Sequence, residues 1–297
     1  MDNDTKHVFN ILILVVCFGM GYYACKAENK DFLTLGGKFD ALNRIETALD
    51  DKKHIEPDNE SIAVENAVNS YYKSGDRYFS YTNELNIDEA EEQTVMKYDY
   101  SDKYRFIGDT VYINCSAFYL DGIQGFTRFF KEQKEKDVDG FIIDLRNNKG
   151  GYTDMATGVL GYLIERQTVG LYHYFDGSTR KINVSGDSFR TEKVVILVNE
   201  DTASASEIFT AVMMQFYSGD VTVIGTNTYG KGTFQEFANV SDTEQVKYTA
   251  GYYTIGDWQC YDGIGITPDI EVEMDYKPEI ICTDNDIQFQ TALDLFK

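Results

Sequence analysis

Apolar and polar positions alternate between two rhythms along this chain, and the rhythm changes near residue 104. Before that point the spacing is helical. In FDALNRIETALDD, Phe39, Leu42, Ile45 and Leu49 recur every three or four residues, and SIAVENAVNSYY repeats the pattern with Ile62, Val64, Ala67, Val68 and Tyr71. Pro57 separates the two runs and Gly75 stops the second, so a helical segment is expected over residues 32–81. Residues 83–102 are acidic, with Glu84, Asp88, Glu89, Glu91 and Glu92, and read as a loop or linker. Beyond it, short apolar runs ended by turn residues (DTVYINC, DGFIIDL, KVVILVN, VTVIG) predict buried strands. Between them GIQGFTRFFKEQKEK, TDMATGVLGYLIER and SASEIFTAVMMQFYS predict helices. TVGLYHYFDGSTRKINV predicts a hairpin turning at Asp176-Gly177. A last helix, DIQFQTALDLF, is expected on the outside. Strand and helix in alternation give an α/β domain with a partly parallel sheet.

One apolar run belongs to neither rhythm. Residues 9–25 (FNILILVVCFGMGYYAC) carry no charge and are about the length of a signal core or a short membrane span. The preceding MDNDTKH is a poor positive region, and Tyr22 stands where a lipoprotein signal usually has leucine, although Cys25 follows the small Ala24. An uncleaved anchor, lipid at Cys25 and a cleaved signal are the three export readings; a buried core helix is the plainer one. Each export reading puts the remainder outside the cytoplasm, in the cell envelope or secreted. The expected division is residues 1–25 as this segment, 26–103 as helices and linker, and 104–297 as the catalytic domain.

Composition narrows the chemistry. A formal net charge of -22 repels phosphate backbones, so no nucleic-acid partner is expected; its plainer meaning is solubility. The cysteines (Cys17, Cys25, Cys115, Cys260 and Cys282) lack zinc-ligand spacing and imply no disulfide framework. No metal and no organic cofactor is implied. The only histidines are His7, His54 and His173, which leaves little for a serine–histidine–aspartate arrangement.

Three loops that follow buried strands hold the remaining candidates, at the strand ends where open α/β sheets build sites. In NEDTASASE, Ser204 opens a helix, where the helix dipole favours a developing alkoxide. The plainer reading is a helix cap, with Glu207 completing a capping box. In GTNTYGKGTFQ, Lys231 sits between glycines; it is either a base, if burial lowers its proton affinity, or a solvated turn lysine. Neither dinucleotide-binding nor P-loop glycine spacing fits here. In DLRNNKGG, Gly150 and Gly151 bring backbone N–H groups to a strand-to-helix turn, while Asp144 and Arg146 read as an ion pair of the scaffold.

Together DLRNNKGG, LVNEDTASASEI, GTNTYGKGTFQ and GIGITPDIEVE resemble the S41 family of tail-specific or carboxyl-terminal processing proteases, over residue 111 to the C-terminus. The resemblance implies a ClpP/crotonase-like ββα-spiral catalytic domain behind a small helical N-terminal segment. It also implies a catalytic set: Ser204 as nucleophile, Lys231 as base, Gln235 as the residue orienting the lysine, and backbone N–H groups of Ala205 and of Gly150 or Gly151 as oxyanion donors. Polypeptide substrates follow, with membrane attachment through the N-terminal segment. Members commonly carry a PDZ domain between helices and catalytic domain. None is expected in residues 83–103, which leaves room for a regulatory partner protein. The alternative is a catalytically idle relative that binds peptides or hydrophobic ligands, in keeping with 22 tyrosines and 19 phenylalanines. A hydratase or acyl-transfer enzyme of the crotonase kind ranks last, because CoA chemistry would not call for Ser204 with Lys231.

Overall fold

A computed structural model describes residues 60–82, 104–133, 136–187, 190, 192–239, 244–257 and 262–297. The run over residues 9–25 and the helix expected around Phe39–Leu49 lie outside these. Among the described residues no helix is long and apolar enough to cross a membrane. The described residues fall into two compact units, one drawn from residues 60–82 and 235–249, the other from residues 104–234 and 250–297.

In the first unit, helix α1 (Glu60–Lys73) is followed by strand β1 (Ser80–Thr82), which pairs antiparallel with residues 245–247. The helical expectation over residues 32–81 therefore fails at its end. Gly75 and Asp76 bond back to Tyr72 O and close the helix, and the Asn69 amide then exchanges two hydrogen bonds with the Tyr81 backbone, at 2.7 and 3.0 Å. Phe79 stacks on Tyr72 with ring centroids 4.6 Å apart. A side chain on the helix thus stands in for a sheet neighbour and draws the next residues into a strand.

The second unit is built on a six-stranded sheet. Its strands are β2 (Tyr104–Ile107), β3 (Thr110–Asn114), β4 (Gly140–Asp144), β7 (Lys193–Val198), β8 (Val221–Gly225) and β11 (Ile270–Glu271). Their spatial order is β11-β8-β7-β4-β3-β2. All neighbours are parallel except β2, which forms an antiparallel hairpin with β3. Alternation along the central strands explains their unbroken apolar sequences. Phe141, Ile143, Val194, Ile196 and Val198 face one core, with helices α2 (Gln124–Glu132), α3 (Thr153–Leu160) and α4 (Ala205–Phe216). Ile142, Val195 and Leu197 face the other, against Phe289 and Ala292 of α5 (Ile287–Asp294). The final helix thus covers the outer face, as expected, and the α/β class with a partly parallel sheet holds.

Strands β5 (Glu165–Tyr174) and β6 (Thr179–Asp187) form the predicted hairpin, with Gly177 at φ 89° in its turn. The helix expected over residues 153–166 ends at Leu160. Gly161 lies so close to Gly186 that a Cβ on it would come within 2.7 Å of the Gly186 Cα, and the chain turns there into β5. The short strands β2 and β11 carried no expectation, nor did β9 (Thr233–Asn239) and β10 (Gln245–Ile255), whose residues 251–255 pair antiparallel with residues 170–174 of β5.

Candidate active site

Adjacent parallel strands end side by side, so the loops leaving them are neighbours. The loops after β4, β7 and β8 are those with Gly150–Gly151, Ser204 and Lys231. The first two are laced by amides. Asn147 and Asn199 exchange hydrogen bonds of 2.8 and 2.6 Å. Asn148 O accepts from Ala203 N (3.0 Å) and from Ser206 Oγ (2.9 Å), and Thr202 Oγ1 donates to Leu145 O at 2.8 Å. These buried polar groups satisfy one another across the gap between strand ends.

Ser204 stands at the threshold of α4 with φ 58° and ψ -118°, in a region of backbone space that a serine seldom occupies. Gly150 explains how the first loop tolerates this. It adopts φ 99°, and a Cβ there would meet Ser204 Cβ at 2.8 Å and Ala205 N at 2.9 Å. Only a glycine lets that backbone lie against the serine. Gly151, at φ 138°, is pressed against Phe118 in the same way.

The expected oxyanion donors differ in availability. The Gly150 N–H donates to Asn148 Oδ1 at 2.9 Å. The N–H groups of Gly151 and Ala205 enter no hydrogen bond among the described residues. Ala205 is the first residue of α4, where an N–H has no intrahelical acceptor.

Glu207 is the residue whose part the sequence did not disclose. Its side chain is fully buried, and both oxygens are occupied by neutral donors. Oε1 accepts from Thr228 Oγ1 (2.5 Å) and Gly230 N (2.8 Å); Oε2 accepts from Ser204 N and from Lys231 N, each at 2.8 Å. The bond to Ser204 N is the returning half of a capping box, which the serine-x-x-glutamate spacing had suggested. The other three bonds reach the loop after β8, which no local pattern announces. Since one oxygen takes both N–H groups, the backbones of Ser204 and Lys231 are no further apart than two hydrogen bonds laid end to end.

The Lys231 loop is also buttressed by the segment 262–267. Gly232 N donates to Asp262 Oδ1 (3.0 Å), Gly263 N to Gly230 O (2.7 Å) and Ile266 N to Thr228 Oγ1 (2.7 Å). This gives a structural reason for the GIGITP sequence, since Gly230 and Gly265 pack backbone to backbone. Gln235 lies on β9 and belongs to the first unit. Its Nε2 is 3.5 Å from Thr249 Oγ1, and Thr249 donates through its hydroxyl (2.8 Å) and its N–H (2.7 Å) to the Asp76 carboxylate.

Below the loops, Asp144 and Arg146 form the expected pair, with a third member. Arg146 contacts Asp144 at 2.6 Å and Asp286 at 2.8 Å, all three side chains being at most 1% exposed. Burial alone would lower the proton affinity of the guanidinium. The two carboxylates beside it outweigh that effect and raise it. Asp286 in turn caps α5 by accepting from Phe289 N.

A family model described as peptidase family S41 matches residues 109–272, more than half of the chain, and so takes in all three loops. The chain belongs to peptidase family S41. Among its relatives, the carboxyl-terminal-processing protease of Synechocystis sp. is 30% identical over 188 residues, covering 62% of this chain and 43% of that protein. The carboxy-terminal processing protease CtpA of Bacillus subtilis is 32% identical over 142 residues, 48% of this chain and 30% of that one. The chain thus spans less than half the length of these curated S41 relatives. Two solved structures share the fold. The photosystem II D1 C-terminal processing protease has a TM-score of 0.51 at 24% identity, covering 72% of this chain and 51% of that one. A lipoprotein from Streptococcus agalactiae has a TM-score of 0.62 at 17% identity, covering 80% and 82%. The S41 assignment carries the ClpP/crotonase-like α/β architecture with it.

Proposed function

We propose that this chain is a serine endopeptidase that cleaves unfolded or tail-exposed polypeptides, with Ser204 as nucleophile and Lys231 as general base. The observation that supports this reading is the single Glu207 oxygen shared by the N–H groups of Ser204 and Lys231. A buried carboxylate fixed to two residues twenty-seven positions apart is costly to install, and capping α4 would need only its bond to Ser204 N.

The reaction follows from the groups. Unprotonated Lys231 takes the proton of Ser204 as its Oγ attacks the peptide carbonyl. The negative charge that develops on the carbonyl oxygen is met by N–H donors of Ala205 and Gly151, which enter no hydrogen bond among the described residues. Protonated Lys231 then delivers its proton to the departing amine, and water releases the acyl group with Lys231 again as base. Gln235 takes the role of orienting the lysine on the strength of the family resemblance. Because only the unprotonated amine is a base, the rate rises with pH through the titration of Lys231. No cofactor takes part.

The location proposed is the outer side of a membrane, held by residues 9–25 or by lipid at Cys25; it rests on that sequence alone. Loss of membrane association in a Cys25→Ser chain would separate lipid from a spanning anchor.

Cleavage of casein by the chain from Lys26 onward, beside Ser204→Ala and Lys231→Ala, tests the proposal. Cleavage by the first and by neither variant is expected. Equal cleavage by all three would remove the dyad. Silence in all three would favour the peptide- or ligand-binding alternative, which stabilisation by a bound peptide would then support.

A further inference from the structure

Glu207 holds Ser204 and Lys231 by their N–H groups, and a second side chain meets the same two residues by their carbonyls. Tyr253, near the C-terminal end of β10, is 1% exposed. Its hydroxyl donates to Lys231 O in a short hydrogen bond and lies 3.4 Å from Ser204 O. Its own N–H donates to Gly232 O at 3.1 Å. The two peptide planes flanking the Lys231 Cα are therefore gripped on several sides. The preceding one is held through Lys231 N by Glu207. The following one is held through Lys231 O by the Tyr253 hydroxyl and through Gly232 N by Asp262. Fixing both planes fixes the direction of the Cα–Cβ bond, and with it the arc the lysine side chain can sweep.

We infer that Tyr253 is a positioning residue for the Ser204–Lys231 pair: its hydroxyl, opposite the Glu207 carboxylate, sets the reach of the base toward the nucleophile. The inference rests on the peptidase reading above. A hydrogen bond to a carbonyl is an ordinary structural device, but this one acts on the two residues that have to meet within hydrogen-bond reach. A misplacement of about 1 Å at such a pair costs on the order of a hundredfold in rate.

The test uses Tyr253→Phe, which keeps the buried ring and removes the hydroxyl alone. The rate of Ser204 labelling by a fluorophosphonate is compared in the wild type, Tyr253→Phe, Lys231→Ala and the double variant, with kcat and KM measured on a fluorogenic peptide. We expect labelling and kcat to fall by about 10- to 100-fold in Tyr253→Phe with KM held within about twofold. In the Lys231→Ala background the residual labelling should be unchanged, because no base remains to be misplaced. The same slowing in both backgrounds would overturn the inference, as would wild-type rates in Tyr253→Phe. A wild type that is never labelled at Ser204 would instead defeat the peptidase reading, and this inference with it. Should the phenylalanine variant not fold, Asp262→Ala releases the same peptide plane from its exposed side. A several-fold loss of kcat at constant KM then supports the clamp, and an unchanged kcat overturns it.

Discussion

Glu207 and the pair Asp144–Asp286 are buried to the same degree behind the same row of strand ends, but they are compensated differently. Arg146 spreads its guanidinium across both aspartates, and Tyr112 adds a hydroxyl to Asp144 at 2.8 Å. Glu207 is solvated by three backbone N–H groups and one threonine hydroxyl. A guanidinium can neutralise carboxylates wherever they are, so the first arrangement binds β4 to the cap of α5 and serves the scaffold. Four neutral donors must each be delivered by the chain to a particular point, so the second arrangement records the position of two loops. Charge neutralised by charge secures the fold. Charge neutralised by dipoles secures a geometry.

That contrast predicts different failures. Removing the cation in Arg146→Ala leaves two buried carboxylates facing each other and should lower stability by about 3–5 kcal/mol, roughly a thousandfold in the folding constant. Urea unfolding would measure this, and the molecules that remain folded should cut casein at near the wild-type rate. Glu207→Gln keeps size and burial but turns an amide N–H₂ toward backbone N–H groups that can only donate. Peptide cleavage should fall by about a hundredfold or more while stability drops by only about 2–3 kcal/mol. If the two variants lost activity and stability in equal proportion, the distinction between scaffold and geometry would collapse. Gly150→Ala drives a methyl group into Ser204 at a φ that alanine resists, and kcat should fall by tens of times, read from active-site labelling per folded molecule.

Tyr112→Phe is the mildest probe, costing about 1 kcal/mol with no change in cleavage. It also carries a pH signature. Burial first, and the Asp144 charge next, hold the Tyr112 hydroxyl well above the ordinary tyrosine value of 10.0. A group raised in the folded state contributes stability in full below that ordinary value and loses it as the pH climbs toward the folded one. The alkaline decline beginning near pH 10 should therefore be shallower in Tyr112→Phe than in the wild type, as followed by urea midpoints across that range.

Much of this architecture was legible because it obeys local rules. The central strands were read from continuous apolar runs, α4 from its stripe with Ile208, Phe209 and Val212, and the β5–β6 turn from Asp176-Gly177. Local rules misled where a tertiary contact decided. The pattern through Gly161 is helical, but α3 ends where the backbone of Gly186 lies against that glycine. β9 and β10 drew no prediction, since β9 has no buried position and the buried and exposed positions of β10 alternate imperfectly. At the site, Ser204 and Lys231 could be singled out by motif. Glu207 looked like a routine capping residue because three of its four donors come from the loop after β8, and three are backbone N–H groups, which leave no trace in side-chain identity. Tyr253 was one tyrosine among twenty-two.

The parallel pairing of β4 with β7, Gly140 opposite Lys193, is separated in sequence by α3 and the whole β5–β6 hairpin. Such pairings close long stretches of chain before any contact rewards them, so they form late. Gly150 and Gly151, Ser204 and Lys231 lie in the loops after three different strands and meet only when β4, β7 and β8 have docked. On the peptidase reading, a chain still emerging from synthesis carries all its reactive groups yet cannot cut itself or its neighbours. Topology alone would postpone the hazard until the molecule is finished.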